Sequence, residues 1–366
     1  MPQPPLRWDL FCRVIDNHGD AGVACRLARD LAGRGHAVRM WIDDPSPLAW
    51  MAPDGLASVE VQHWTPGQAA VTPGEVVVEL FGCEPPASFV QAMAASPAPP
   101  VWINLEYLSA EPYVERSHGL PSPLQSGLGR GLTRWFFYPG FTPRTGGLLR
   151  EPGLATERAA FSRMTWLSQQ GIDRRPGERL VSLFGYASAP LPGLLERLAD
   201  SPTLLLVAAG AAQEALAHLP LPPGVRTHAL PWLSQPDFDR LLWASDLNFV
   251  RGEDSLVRAI WAGAPFVWQI YPQHDGAHAA KLDAFLNRLA VAHTGADAET
   301  RAGVAAWFRG WNGLADLPTA WPDLGRWRAA CMALREPLAA EPDLTTQLHA
   351  FALRATRALP KAGAGG

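Results

Sequence analysis

The chain has 366 residues, 48% of them hydrophobic and 18% charged, with a formal net charge of −4. That length exceeds what one hydrophobic core ordinarily supports and predicts two folded domains of roughly 150 residues each. The slight acidic excess excludes the broad basic surface that holds a phosphate backbone, so no nucleic-acid partner is expected.

In chain order, residues 6–15 are apolar and strand-like. The turn residues Asn17-His18-Gly19-Asp20-Ala21-Gly22 follow, then Val23, Leu27 and Leu31 recur at helical spacing until Gly33-Arg34-Gly35 ends the pattern. Val38, Met40 and Ile42 share one face of a strand at 37–42, which makes 6–42 a βαβ unit and favours a parallel sheet. Further strands are expected at 59–64, 76–81, 101–105 and 135–138. Residues 140–147 form a turn-rich boundary, beyond which strands are expected at 180–184, 204–208, 247–250 and 266–270, with helices at 236–244 and 278–288 between them. Asp343 or Thr345 is expected to cap a last helix. The alternation predicts two Rossmann-like domains, with ligands at the carboxyl ends of their strands.

Cys12, Cys25, Cys83 and Cys331 lack zinc-like spacing and read as buried thiols of a reducing compartment. Residues 1–5 carry no basic segment leading into an apolar one, and no uncharged apolar run approaches the ~20 residues that span a bilayer. A cytoplasmic protein without membrane contact is expected.

Three strand-to-helix turns carry candidate chemistry. The first, 14–22, holds Asp16 and Asp20 around Asn17 and Gly19; its glycines do not make GxGxxG, which removes the main support for dinucleotide binding. The ordinary explanation for Asp20 is a helix cap, whereas Asp16, at a strand end, has the location of a functional group. The second, 248–255, offers Arg251, Glu253, Asp254 and Ser255 at a helix start whose free N–H groups suit a diphosphate. Its two acids also suit a helix N-terminus with no ligand. The third, 271–278, holds Gln273, His274, Asp275 and His278, with Lys281 and Asp283 following on a helix, polar groups suited to sugar hydroxyls; no His or Cys cluster accompanies them, and no metal is expected. Phe184, Tyr186 and Trp232 offer aromatic faces for a nucleobase whose edge Gln235 would read, although with 15 tryptophans in the chain most serve packing.

Phe11-Cys12-Arg13-Val14-Ile15-Asp16-Asn17-His18-Gly19-Asp20-Ala21-Gly22-Val23 and Phe249-Val250-Arg251-Gly252-Glu253-Asp254-Ser255 resemble the EarP family of elongation factor P arginine rhamnosyltransferases. Asn104-Leu105-Glu106-Tyr107-Leu108, Phe136-Phe137-Tyr138-Pro139-Gly140-Phe141 and Ile270-Tyr271-Pro272-Gln273-His274-Asp275 extend the resemblance along essentially the whole chain. It implies an α/β fold of the GT-B glycosyltransferase kind, with two Rossmann-like domains facing each other across a cleft. It further implies a cytoplasmic, metal-independent inverting transferase that moves L-rhamnose from dTDP-β-L-rhamnose to an arginine of elongation factor P.

The expected organisation is an acceptor domain at 1–150, a donor domain at 165–340, and a helix at 343–358 that packs back on the first domain. The implied catalytic groups are Asp20 as base, Asp16 as the group that orients the guanidinium, and Glu253. Donor binding falls to Asn17, Gly19, Phe184, Tyr186, Trp232, Gln235, Arg251, Asp254, Ser255, Gln273 and Asp275. One position departs from the pattern: Phe is the more usual residue where this chain has Trp232. A carboxylate pair suits the chemistry, because a guanidinium with a reference pKa above ~12 is a poor nucleophile until its charge is managed. Two other readings stand beside this one: a GT-B transferase with a different acceptor, or a non-catalytic protein that binds a nucleotide or a translation factor.

Overall fold

Strands buried on both faces need near-continuous apolar runs, and the computed structural model places the central strands of its sheets on such segments. It describes residues 5–15, 18–65, 67–69, 71–272, 276–292 and 298–358, in two units: Met1–Pro152 with Glu341–Gly366, and Gly153–Ala340.

The first unit runs β1 (Arg7–Cys12), α1 (Gly19–Gly33), β2 (Ala37–Ile42), α2 (Leu48–Met51), β3 (Val59–His63), β4 (Val76–Leu80), α3 (Ala87–Ala95), β5 (Val101–Leu105), α4 (Tyr113–Ser117), β6 (Pro121–Pro123) and β7 (Thr133–Phe137). The strands lie in the order β3-β2-β1-β4-β5-β7-β6. All pairs are parallel except β6 with β7.

The second unit runs α5 (Leu154–Ala160), α6 (Arg163–Gln169), β8 (Arg179–Leu183), α7 (Leu191–Leu198), β9 (Thr203–Val207), α8 (Ala211–Leu216), β10 (Val225–Ala229), α9 (Gln235–Ala244), β11 (Leu247–Arg251), α10 (Gly252–Ala262), β12 (Phe266–Gln269), α11 (Ala277–Ala292), α12 (Ala298–Trp311) and α13 (Leu324–Ala340). Its sheet is wholly parallel, ordered β10-β9-β8-β11-β12. In both units the chain winds outward on one side of the first strand and then returns to the other. Each sheet therefore has a switch point, between β1 and β4 and between β8 and β11, and open α/β sheets bind ligands in the crevice this creates beyond the strand ends.

The chain then returns to the first unit as α14 (Leu344–Ala358). Leu344, Leu348, Phe351, Ala352 and Ala355 enter the same core as Trp8, Leu10, Leu27, Val78 and Ile103. Of the two expected caps, Asp343 is the one that forms, its Oδ1 accepting the Thr346 N–H at 2.9 Å. Arg34, at the end of α1, reaches Asp343 at 2.7 Å and Asp30 at 2.8 Å, tying helix to helix. Two strands were not foreseen, β6 and β10. The β1 strand is shorter than the expected 6–15, and α5 falls between the two expected domain spans and joins the second unit.

Beside that tie, the rings of His36 and His349 approach within 4.5 Å, and both lie near Trp8. Burial, then the His349 and Arg34 charges, push His36 down from 6.5 to about 4, and burial and Arg34 lower His349 as well. A histidine whose folded value is depressed stabilises the fold above its unfolded value and loses that contribution as pH falls through the folded one. Thermal stability is accordingly expected to drop between pH 6.5 and about 4. His36→Gln should flatten that part of the profile relative to the unsubstituted protein, and parallel profiles of the two proteins would refute the assignment.

Candidate active site

The residues proposed from sequence in the second unit converge on the carboxyl edge of its sheet. Phe184 and Tyr186 follow β8, and Arg251 ends β11, the two strands that flank the switch point. The Arg251 guanidinium lies over both rings, 4.4 Å from the Phe184 centroid and 4.7 Å from that of Tyr186. Phe238 of α9 supports the Phe184 ring edge-on at 5.5 Å, and Tyr271 does the same for Tyr186 at 5.5 Å. Among the described residues no carboxylate pairs with Arg251, and burial lowers its pKa. A guanidinium remains charged under such pressure. Desolvated and without an acidic partner among these residues, it is poised to take an anion.

Gly210 lies beyond β9, with φ of 128° in the region that L side chains rarely adopt. A methyl group there would sit 3.9 Å from Arg251 Nη2 and 4.0 Å from the tip of Trp232, so the bare backbone leaves a space between the two side chains. Trp232 itself, in the segment between β10 and α9, is 45% exposed. Gln235, by contrast, opens α9 and is buried.

The start of α10 behaves differently from the simplest expectation. The Ser255 hydroxyl accepts the Arg251 N–H at 3.0 Å and donates to the Arg251 carbonyl. It thus braces the turn that aims Arg251, and its oxygen is engaged within the protein. Glu253 and Asp254 occupy the first turn of α10, where carboxylates favour the helix, and Glu253 Oε1 is paired with Lys281 Nζ of α11. Behind this surface, Arg258 of α10 and Asp239 of α9 form a two-point buried ion pair with both bonds at 2.7 Å, which locks the two helices together.

One residue of this edge has no counterpart in the sequence-based set. Gln269, buried at the end of β12, accepts the Tyr186 N–H at 2.8 Å and donates to Ser188 Oγ at 3.3 Å, holding the segment that carries both aromatic rings. Its signal in the sequence is a lone amide closing the apolar run Phe266-Val267-Trp268. Lys281, a polar residue of the helix that follows the third turn, is the partner of Glu253.

In the first unit, Asp20 lies in the first turn of α1, half-buried. It is not the cap: His18 holds that position, with no capping hydrogen bond from its side chain. Burial pushes the Cys12 thiol well up, and the Asp20 charge adds to this, which puts Asp20 electrostatically close to the end of β1. Asp43 fixes the same strand end by accepting the Val14 N–H at 2.8 Å. Beside it, at the end of β4, Phe81 adopts a left-handed φ of 58° and stacks on exposed Tyr107 at 4.4 Å. Strained backbone of this kind persists only where surroundings impose it, and it gathers at functional edges.

Gly19 opens α1 with φ outside the left-handed region, and an added methyl there would meet nothing within 4 Å. Asp16, Asn17, Gln273 and Asp275 lie outside the described residues.

All four cysteines are free and buried. Among the described residues, no group of three or more His, Cys, Asp or Glu side chains could hold a metal ion, and no helix is long and apolar enough to cross a membrane.

Two Rossmann-like sheets, each with polar strand-end turns at its switch point, define the fold of GT-B glycosyltransferases. The fold is shared with the spinosyn rhamnosyltransferase SpnG solved in complex with thymidine diphosphate, at 14% identity and a TM-score of 0.52 over 94% of this chain and 99% of that one. Residues 8–353 match the family described as Elongation-Factor P (EF-P) rhamnosyltransferase EarP, and the chain belongs to that family. The protein-arginine rhamnosyltransferase of Pseudomonas putida is 44% identical, the match covering 94% of this chain and 98% of the relative. A solved structure described as the structural basis for EarP-mediated arginine glycosylation of translation elongation factor EF-P is 32% identical, with a TM-score of 0.65 over 96% of this chain and 99% of that one.

Proposed function

We propose that this chain transfers L-rhamnose from dTDP-β-L-rhamnose to a guanidinium nitrogen of an arginine in translation elongation factor P, inverting the anomeric centre and thereby activating the factor. The observation that carries the reading is Arg251, a desolvated cation held on two aromatic faces at a switch point, in a chain of this family. The second unit is the donor side and the first the acceptor side. A translation factor as acceptor makes the cytoplasm the site of action.

In the reaction, the arginine nitrogen attacks the anomeric carbon as the bond from that carbon to the diphosphate oxygen breaks. The nitrogen's proton passes to Asp20, and the electron pair of the broken bond leaves with dTDP. Arg251 and the free N–H groups at the start of α10 stabilise the charge that grows on the diphosphate. Phe184 and Trp232 hold the thymine, with Gln235 reading its edge. Asp16 orients the guanidinium fork, and Glu253 steadies the sugar or the loop beneath it. Intact-mass analysis of elongation factor P after incubation with this chain and dTDP-rhamnose tests the proposal. A gain of one deoxyhexose on one arginine is expected, and an unmodified factor in the presence of bound donor would reject it.

Two further results are expected. Arg251→Ala should weaken dTDP binding by roughly ten- to a hundredfold, the range typical of removing a charge-assisted hydrogen bond from a desolvated site. Ser255→Ala should weaken binding less, since its hydroxyl acts by bracing Arg251; calorimetry that finds Arg251→Ala unchanged would remove the diphosphate from this turn. The positive charge of Arg251 and the helix amides also substitutes for a cation. Transfer in excess EDTA should therefore proceed at an undiminished rate, and a strict divalent requirement would contradict the assignment.

A further inference from the structure

We propose that Lys281 is a positioning residue of the donor site, its charge offsetting Glu253 so that a helix start bearing two carboxylates can receive a diphosphate. The inference rests on the reading of the second unit as the donor side. The first turn of α10 poses an electrostatic problem: Glu253 and Asp254 stand beside the N–H groups meant for an anion. Both suit the helix dipole, and both repel the ligand. Both acids place negative charge at the same turn that carries Arg251.

Lys281 changes that balance. It reaches from α11 to Glu253 Oε1, and the two side chains are only 18% and 19% exposed. Lysine ordinarily keeps its ammonium in water, and drawing both charges inward has a desolvation cost that a surface pair avoids. The pairing has two consequences. It offsets the Glu253 charge, which leaves the partial positive charge of the helix amides to favour the diphosphate. It also fixes the Glu253 carboxylate on the α11 side, while Arg251 is held by the Phe184 and Tyr186 faces.

Calorimetric titration of the full chain with dTDP and with thymidine, at low and at high ionic strength, tests this. Lys281→Met should weaken dTDP roughly ten- to a hundredfold at low salt, because an uncompensated carboxylate then faces a multiply charged ligand in a partly desolvated site. Thymidine, which has no phosphate, should bind as it does to the unsubstituted chain, and high salt should shrink the dTDP loss. Lys281→Arg should restore most of the affinity, and adding Glu253→Gln to Lys281→Met should do the same by removing the repulsive charge. Equal losses for both ligands would mean that Lys281 merely supports the fold, and an undiminished dTDP affinity or a double variant as weak as the single would also overturn the proposal. An unsubstituted chain that binds no dTDP would instead overturn the donor-side reading itself.

Discussion

Asp20→Asn should leave the protein folded and able to bind dTDP while rhamnosyl transfer falls by about 10² to 10⁴, the loss common when a general base is removed. The substitution preserves shape and removes one charge from the first turn of α1, where the structural cost of losing a carboxylate is about 0.3–1 kcal/mol. Since His18 and not Asp20 occupies the capping position, a role confined to helix stability predicts an active variant with a slightly lower melting temperature. The two explanations thus differ by orders of magnitude in rate. Single-turnover transfer measured at saturating donor reads the chemical step apart from binding. Near-normal transfer by Asp20→Asn would pass the base role to another carboxylate, with Asp16 and Glu253 next in line.

Arg258→Met is the second substitution with a large expected effect, here on stability. It leaves Asp239 deep between α9 and α10 without the guanidinium that both of its oxygens contact. Breaking such a pair by removing one partner costs about 3–5 kcal/mol, a substantial part of the ~5–15 kcal/mol that holds a domain together. Urea unfolding followed by the fluorescence of the second unit's tryptophans should show an earlier transition, and adding Asp239→Leu should recover most of the loss. Because α9 carries Gln235 and α10 begins beside Arg251, the single variant should also bind dTDP less tightly at temperatures where the protein remains folded. A midpoint shifted by less than the equivalent of ~1 kcal/mol would mark the pair as dispensable.

Much of this architecture was legible because its strands are apolar runs bounded by turn residues. The segments at 37–42 and 101–105 were located to the residue, and most others within one or two positions. The strands that escaped lack that signal. β10 reads Val-Arg-Thr-His-Ala, an edge strand with its polar side in solvent, and β6 is Pro-Ser-Pro, whose two prolines cannot donate to a ladder. The site follows the same division. Arg251, Phe184 and Tyr186 stand at strand ends where chemistry is expected, and the family resemblance supplied their roles. Ser255 shows the limit of such reading, since only the fold reveals that its hydroxyl turns back onto Arg251. Gln269 and the pairing of Lys281 were invisible for a related reason: the partners, Tyr186 and Glu253, are 83 and 28 residues away in the chain.

The return of α14 to the first unit has a consequence for how the protein is made. Leu344, Leu348 and Ala352 fill a core whose other walls come from residues in the first 150, so the opening unit is finished by the final helix. Domains usually mature in the order of synthesis, the N-terminal one first. Here the second unit is an insertion within the first, and all of it emerges from the ribosome before the core around Trp8 and Leu10 can close. A nascent chain halted after residue 340 would present a finished second unit and a first unit with its apolar wall still open to chaperones, and a fragment ending near residue 150 would inherit the same defect permanently.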